Sequence, residues 1–287
     1  MNKKYNKRRT EKMSNTKSKS KAKDKTKELV GMLEQNLESI FQSGDFEKFL
    51  KLCNNKAFSK YSINNIILIM SQFPTAEYVA GYKTWENEFG RKVKPGEKAI
   101  YILAPSKYKK KVKIEKEDGT EEEVEEERFG YRSVPVFDIS QTDGPDIPNY
   151  MKKADSDVED CDTFVDALSK YSGTEFKAGN VTKYDGKTGD ITVNPKDSDM
   201  QIMMDLVYAC AMKDMKSTED KAYCRAVADG ISYVVCNNYG FDETGTRVFA
   251  KMLQWSKEKE TKELKKCLCD IQKYAKEMIT KLDIFIS

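Results

Sequence analysis

The stretch "KYKKKVKIEKEDGTEEEVEEERFGY" constrains the fold more than any other part of the chain. A lysine-rich arm and a glutamate-rich arm flank Asp118-Gly119, a strong hairpin turn signal. Folding about that turn sets Lys116 opposite Glu121, Lys111 opposite Glu126 and Lys110 opposite Glu127. Opposite charges across antiparallel strands contribute about 0.2–1 kcal/mol per pair. The two runs are therefore read as neutralising each other on a solvated ribbon, rather than as a nucleic-acid patch beside an acidic tail. The flanks "AIYILAPS" and "RFGYRSVPVFDIS" extend both arms, so a long antiparallel pair is expected.

Helical periods precede the ribbon. Leu29, Leu33, Leu37, Ile40 and Phe41 recur at three and four residues, as on an amphipathic helix. "GDFEKFLKLC" reads as a second helix with Asp45 as its N-cap. "YSINNIILIMSQFP" reads as a third, with Ile63, Ile66, Ile67 and Met70 as core and Pro74 as its stop. "EYVAGYKTWENEF" reads as a strand entering a short helix. "GRKVKPGEK" is a basic loop with a Pro-Gly turn.

"TDGPDIPNYMKKADSD" is rich in Pro, Gly and Asp and marks a boundary. Beyond it, a helix from Val158 to about Tyr171 is expected to bury Cys161, Phe164, Val165 and Leu168. "VTKYDGKTGDITVNP" reads as a hairpin and "QIMMDLVYACAM" as a buried helix. Ser217 and Asp220 are spaced as a capping box for a helix reaching Asn238, with Gly240 just past its end. "RVFAKMLQWS" is a further short helix. In the last helix Leu264, Leu268, Ile271, Ala275, Met278 and Leu282 form a seam, suited to a partner helix or to the domain's own core.

Composition excludes several chemistries. The 287 residues contain no histidine, so Ser-His and Cys-His nucleophilic sites are out. There is no P-loop and no GxGxxG, and the seven cysteines include no CxxC pair of the kind an all-cysteine zinc site needs. That cysteine usage fits a reducing cytoplasm. No apolar run approaches membrane-spanning length. Residues 1–27 carry 12 Lys/Arg against 2 acids and read as a disordered basic tail, an anchor for a polyanion or a solvated leader.

Before the boundary, aromatic and amide side chains interleave with positive charge: Tyr61, Asn64, Asn65, Gln72, Tyr82, Trp85, Arg91, Lys92, Lys94 and Lys98. Such sets grip single-stranded nucleic acid, with rings stacking bases and cations tracking phosphates. Taken alone, Tyr82 and Trp85 read more readily as core, and the basic loop as solvated. "YSINNIILIMSQFP", "VAGYKTWENEFGRKVKPGEKAIYILAP" and "VPVFDISQT" together resemble the N-terminal single-stranded-DNA-binding domain of ArdC-type antirestriction proteins, carried by conjugative plasmids, integrative elements and phages. The resemblance covers roughly residues 28–142. It implies binding of single-stranded DNA and protection of incoming DNA. It does not name the contact residues, so the candidates Tyr61, Asn64, Asn65, Tyr82, Trp85, Arg91, Lys92, Lys94 and Lys98 rest on chemistry.

Members of that family usually continue into a zinc metallopeptidase-like domain with a helix carrying H-E-x-x-H and an acidic third ligand before "AYVVC". Here "DITVNP", "MMDLVYACA" and "VADGISYVVC" follow that layout. In that register Met204 stands for the first His, Asp205 for the general-base Glu, Tyr208 for the second His and Asp229 for the acidic ligand. Thioether and phenol are poor zinc ligands. This departure from the family pattern points to a pseudoenzyme domain, without catalytic residues, metal or cofactor, in which Met204 and Tyr208 fill the vacated volume and the Tyr208 hydroxyl bonds one of the aspartates; a residual Mg²⁺ or Mn²⁺ site on Asp205 and Asp229 is the alternative.

The sequence therefore predicts an α+β protein of two domains. Residues 28–142 form a curved antiparallel sheet with N-terminal helices, 143–157 a linker, and 158–287 a helix-rich metallopeptidase-like domain lacking its zinc ligands. The expected function is cytoplasmic, non-enzymatic single-stranded-DNA binding for a mobile element, with a restriction or conjugation protein as a further partner and no membrane contact. Two alternatives stand beside it: a metal-dependent peptidase acting on DNA-associated proteins, and a protein-interaction module.

Overall fold

The computed structural model describes residues 24–41, 46–58, 60–115, 121–147, 161–215, 220–241 and 252–286. Residues 1–23 of the basic tail, Asp45, the Asp118-Gly119 turn, most of the 143–157 linker, Ser217 and the start of "RVFAKMLQWS" lie outside the described residues; residues 24–27, expected to belong to the disordered tail, are instead the first turn of a helix, where Lys25 pairs with Glu28. The architecture is mixed helix and sheet. Its contacts separate into two compact units, residues 1–34 with 68–145 and residues 35–67 with 146–287. The expected division runs linearly along the chain, whereas these units interleave it. The division falls inside α1 (residues 24–41) and inside α3 (Ile63–Gln72).

The first unit is built on a three-stranded antiparallel sheet. Its strands are β1 (Val79–Gly81), β3 (Ile100–Glu115) and β4 (Glu121–Asp138), in the order β1-β4-β3. β3 and β4 form the expected ribbon, but one residue out of the expected register. Lys111 pairs with Glu125 and Lys110 with Glu126. The ion pairs run diagonally along one face: Lys109–Glu125 at 3.1 Å, Lys111–Glu123 at 3.0 Å and Lys107–Glu127 at 3.6 Å. Diagonal neighbours in a ladder are within reach of long side chains, so the slip preserves the charge neutralisation.

At its base the sheet is pinned by polar groups. Asp138 ends β4 almost wholly buried, and its carboxylate accepts the backbone N–H groups of Glu77, Tyr78 and Ser140 and the Ser140 hydroxyl. Gln141 closes a capping box, accepting from the Asp138 N–H and donating to Glu97 Oε2 and the Lys98 carbonyl. A short helix, α4 (Tyr82–Asn87), follows β1, and a small ladder pairs β2 (Lys92–Val93) with β5 (Thr142–Asp143). Apolar packing falls in two groups. Leu29, Leu68 and Leu103 form one, with Met32, Leu33 and Tyr101 against them. Tyr78, Trp85 and Phe89 form the other, ring centroids 5.3–5.5 Å apart.

The second unit is mostly helical: α2 (Phe46–Asn54), α5 (Cys161–Ser172), α6 (Asp199–Asp214), α7 (Lys221–Asn238), α8 (252–256) and α9 (Thr261–Ile286). A small sheet, β6 (Lys177–Ala178), β7 (Lys183–Tyr184) and β8 (Ile191–Val193), has the order β6-β8-β7. α7 starts later than the sequence predicts. Its N-cap is Asp220, which accepts from the N–H groups of Ala222 and Tyr223. From Ala226 to Cys236 it is buried on every side, as the central helix of a layered core must be. α6, α9 and α2 pack around it. On α9 the seam Leu264, Leu268, Ile271, Ala275, Met278 and Leu282 is buried within this unit, so the same chain occupies it. No helix among the described residues is long and apolar enough to cross a membrane.

Candidate functional site

The structure sorts the aromatic and cationic candidates by what each side chain touches. Trp85 is 0% exposed, and its Nε1 donates to the Phe137 carbonyl at 2.9 Å. It presents no ring face on which a base could stack. Arg91 is likewise buried. Its Nε donates to Thr142 Oγ1 at 2.7 Å, Nη2 to the Thr142 carbonyl at 2.9 Å, and Nη1 to the carbonyls of Gly144 and Pro145. Gly144 has φ of +152°, and a Cβ there would lie 2.8 Å from Arg91 Cα, so the two backbones meet only because that residue is glycine. The guanidinium is thus spent on carbonyls and holds the base of the first unit together.

Lys94 is partly spent: its Nζ donates to the Ser140 carbonyl at 3.0 Å and lies 3.8 Å from Asp143. Gln72 is framework, exchanging hydrogen bonds with the backbone of Tyr101 at both its amide atoms. What stays available is Tyr82, 51% exposed with its ring edge on Phe137, and the exposed cations Lys92 and Lys98. Lys83, next to Tyr82 on α4, is exposed as well and was missed by the sequence reading, although the Tyr-Lys pair at a helix start was its signal. None of these three lysines has an acidic side-chain partner among the described residues. Tyr61, Asn64 and Asn65 belong to the other compact unit, with Asn65 buried and Asn64 and Tyr61 half-buried. Tyr61 packs on Phe58, centroids 6.1 Å apart, with Lys60 Nζ 5.5 Å from the Tyr61 ring.

In the second unit, α6 and α7 bring Met204, Asp205, Tyr208 and Asp229 into one neighbourhood. α6 forms because Ser198 caps it, accepting from the Gln201 N–H. Met204 is buried, and its carbonyl accepts from the buried Ser232 hydroxyl at 2.7 Å, which ties α6 to α7. Asp205 accepts from Gln201 Nε2 at 2.7 Å, one turn back. Asp229 is buried. Burial pushes the Tyr208 hydroxyl up to about 12; the nearby Asp229 and Asp205 charges add to this and Arg225 opposes it. The phenol is therefore a proton donor at neutral pH. Tyr208 and Arg225 line a cleft of about 780 Å³ with Asp220, Gln254, Trp255 and Lys257.

This donor set does not fit a catalytic zinc ion. It offers two carboxylates, a thioether and a protonated phenol, where zinc hydrolases use three imidazole or carboxylate ligands and an open water position. No cluster of three or more His, Cys, Asp or Glu suited to a metal occurs among the described residues.

Comparison with known proteins adds three findings. Residues 8–137 match the family model described as the N-terminal domain of anti-restriction factor ArdC. The uncharacterized protein pXO2-81 of Bacillus anthracis is 25% identical over 84% of this chain, and the chain spans about half (49%) of that relative's length. The antirestriction ArdC protein from plasmid R388, solved in a metal-free form, aligns over 77% of this chain and 85% of its own. That alignment has a TM-score of 0.49 and 16% identity, too loose a likeness to place any residue.

Proposed function

Through residues 8–137 this chain belongs to the ArdC anti-restriction family, and from that premise we propose that it is a non-enzymatic single-stranded-DNA-binding protein that protects the DNA of a mobile element from restriction. The observation that carries the binding is the exposed group on the first unit: Tyr82 with Lys83, Lys92 and Lys98. A ring half open to solvent stacks a base, and lysines without acidic partners track phosphates. Trp85 and Arg91 are assigned to holding that group in place, because their polar atoms are spent on the frame.

The second unit is proposed as a scaffold whose hydrolytic site is lost. Its support is the chemistry of Met204, Asp205, Tyr208 and Asp229, which gives no metal-bound water of lowered pKa. Metal analysis of the purified protein tests this. The expected result is about 0.1 zinc per chain or less, far below the full occupancy of a genuine site. Stoichiometric zinc that disappears in Asp229→Ala contradicts it and favours a peptidase.

A further inference from the structure

The ribbon changes character along its length. From Lys109 and Glu127 outward it is net acidic, with four lysines against seven glutamates over residues 109–115 and 121–127. Nearer the sheet, residues 104–108 and 128–133 contain Lys107, Arg128 and Arg132 and no acid. Three large rings stand open in that section: Phe129 at 75%, Tyr131 at 63% and Tyr108 at 49% exposure. β1 pairs with β4 only from Val136 onward, so this section is two strands wide. Phe129 and Tyr131 lie on one face, with Lys107 directly opposite Phe129 and its Nζ 5.3 Å from that ring. Tyr108 is on the other face, lying across Gly130, where a Cβ would come within 2.9 Å of its ring. Rings this exposed on a ribbon add nothing to a core, and open apolar surface that is rimmed by charge marks an interaction site.

Granted the single-strand reading, we infer that the root of this ribbon is a second stacking platform for single-stranded DNA, with Phe129 and Tyr131 as its rings and Lys107 and Arg132 as its phosphate contacts. The spacing selects the ligand. Same-face residues two apart on a strand are about 7 Å apart, whereas stacked bases along a duplex strand rise about 3.4 Å. Successive bases reach both rings only when they are unstacked from each other, as in an extended single strand. Lys107 shares the face of the two rings; its ion pair with Glu127, 3.6 Å long and exposed, is of the weak kind that a phosphate displaces. Arg132 starts from the opposite face, beside Ser133, whose N–H donates to Thr26 Oγ1 of α1 at 3.2 Å; its side chain is exposed and has no acidic partner among the described residues. Its long, exposed side chain reaches a phosphate from the rim of the ribbon. The sign change along the ribbon sets the limit of the platform, because the glutamates from Glu127 outward repel a phosphate backbone.

The test is binding of a labelled oligothymidine by the full chain. Phe129→Ala with Tyr131→Ala weakens affinity by about tenfold or more, since each stacked base is worth roughly 1–3 kcal/mol. The salt slope stays unchanged, since no cation is removed. Arg132→Gln instead lowers the slope by about 0.7. Both native tryptophans are buried, so Phe129→Trp supplies the exposed emitter, and oligothymidine quenches it. Far-UV circular dichroism confirms that the variants fold. An affinity within about twofold of wild type in the double variant, with no quenching of Phe129→Trp, overturns the platform alone, provided wild type still prefers single strands. The patch then belongs to a protein partner. Wild type without that preference overturns the platform together with the reading beneath it.

Discussion

Asp138 illustrates how a residue within a recognisable motif need not be a functional one. Its carboxylate satisfies three backbone N–H groups in a setting water does not reach. Orphaned buried donors cost about 1–3 kcal/mol each, so Asp138→Ala is expected to destabilise the first unit by about 3 kcal/mol or more in a denaturant titration. Asp138→Asn, which keeps one acceptor oxygen, costs less. If the two substitutions were equally mild, the pin would be unimportant. The same holds for Arg91 and Gln141: the polar residues of "FGRKVKPGEK" and "VFDISQT" are largely joints. The basic loop was legible in the sequence as positive charge. Which cations remain open was not, because that depends on where Gly144, Thr142 and Ser140 place their carbonyls, in a segment some fifty residues away.

At the scale of elements, the ribbon and most helices were legible, since alternating charge, turn chemistry and apolar period are local signals. Boundaries and register were less so. The ladder runs one residue off the register that a two-residue turn at Asp118-Gly119 would impose. α7 begins at Asp220 because that side chain reaches two N–H groups at once. The packing of α7 on α9 yields a prediction no periodicity contained. A Cβ at Gly230 would sit 2.5 Å from Ile271 Cδ1, in fully buried surroundings. Gly230→Ala is expected to destabilise by about 1–3 kcal/mol through overpacking. Ile271→Val or Ile271→Ala in the same chain should recover part of that loss. Additive effects of the two changes in thermal melts would mean that they do not meet. The buried seam on α9 was visible from its spacing, but whether it faced a partner or its own unit was settled only by α5 and α7.

At the scale of the whole molecule, buried phenols set how the second unit responds to alkaline pH. The second unit holds Tyr171, Tyr208, Tyr223 and Tyr239, all raised first by burial, with Asp214, Asp270 and Asp283 accepting from three of them. A tyrosine whose folded pKa is raised contributes stability below its unfolded value, and that stability is lost as pH rises. For Tyr208 the window runs from 10 to about 12. Alkaline titration followed by tyrosinate absorbance should therefore show these phenols ionising together with unfolding. Early, stepwise ionisation in a still-folded protein would contradict their burial. α6 and α7 are tied within this unit by the buried Ser232 hydroxyl, which donates to the Met204 carbonyl.

The most direct measurement is the affinity of the full chain for single-stranded and duplex DNA of equal length across a salt series. The account predicts tighter binding of the single strand at every salt concentration, with log affinity falling by about 0.7 per neutralised phosphate per decade of salt. Lys92→Gln and Lys98→Gln should each take about 0.7 from that slope. Equal affinity for the two forms, or no binding at low salt, contradicts the central claim.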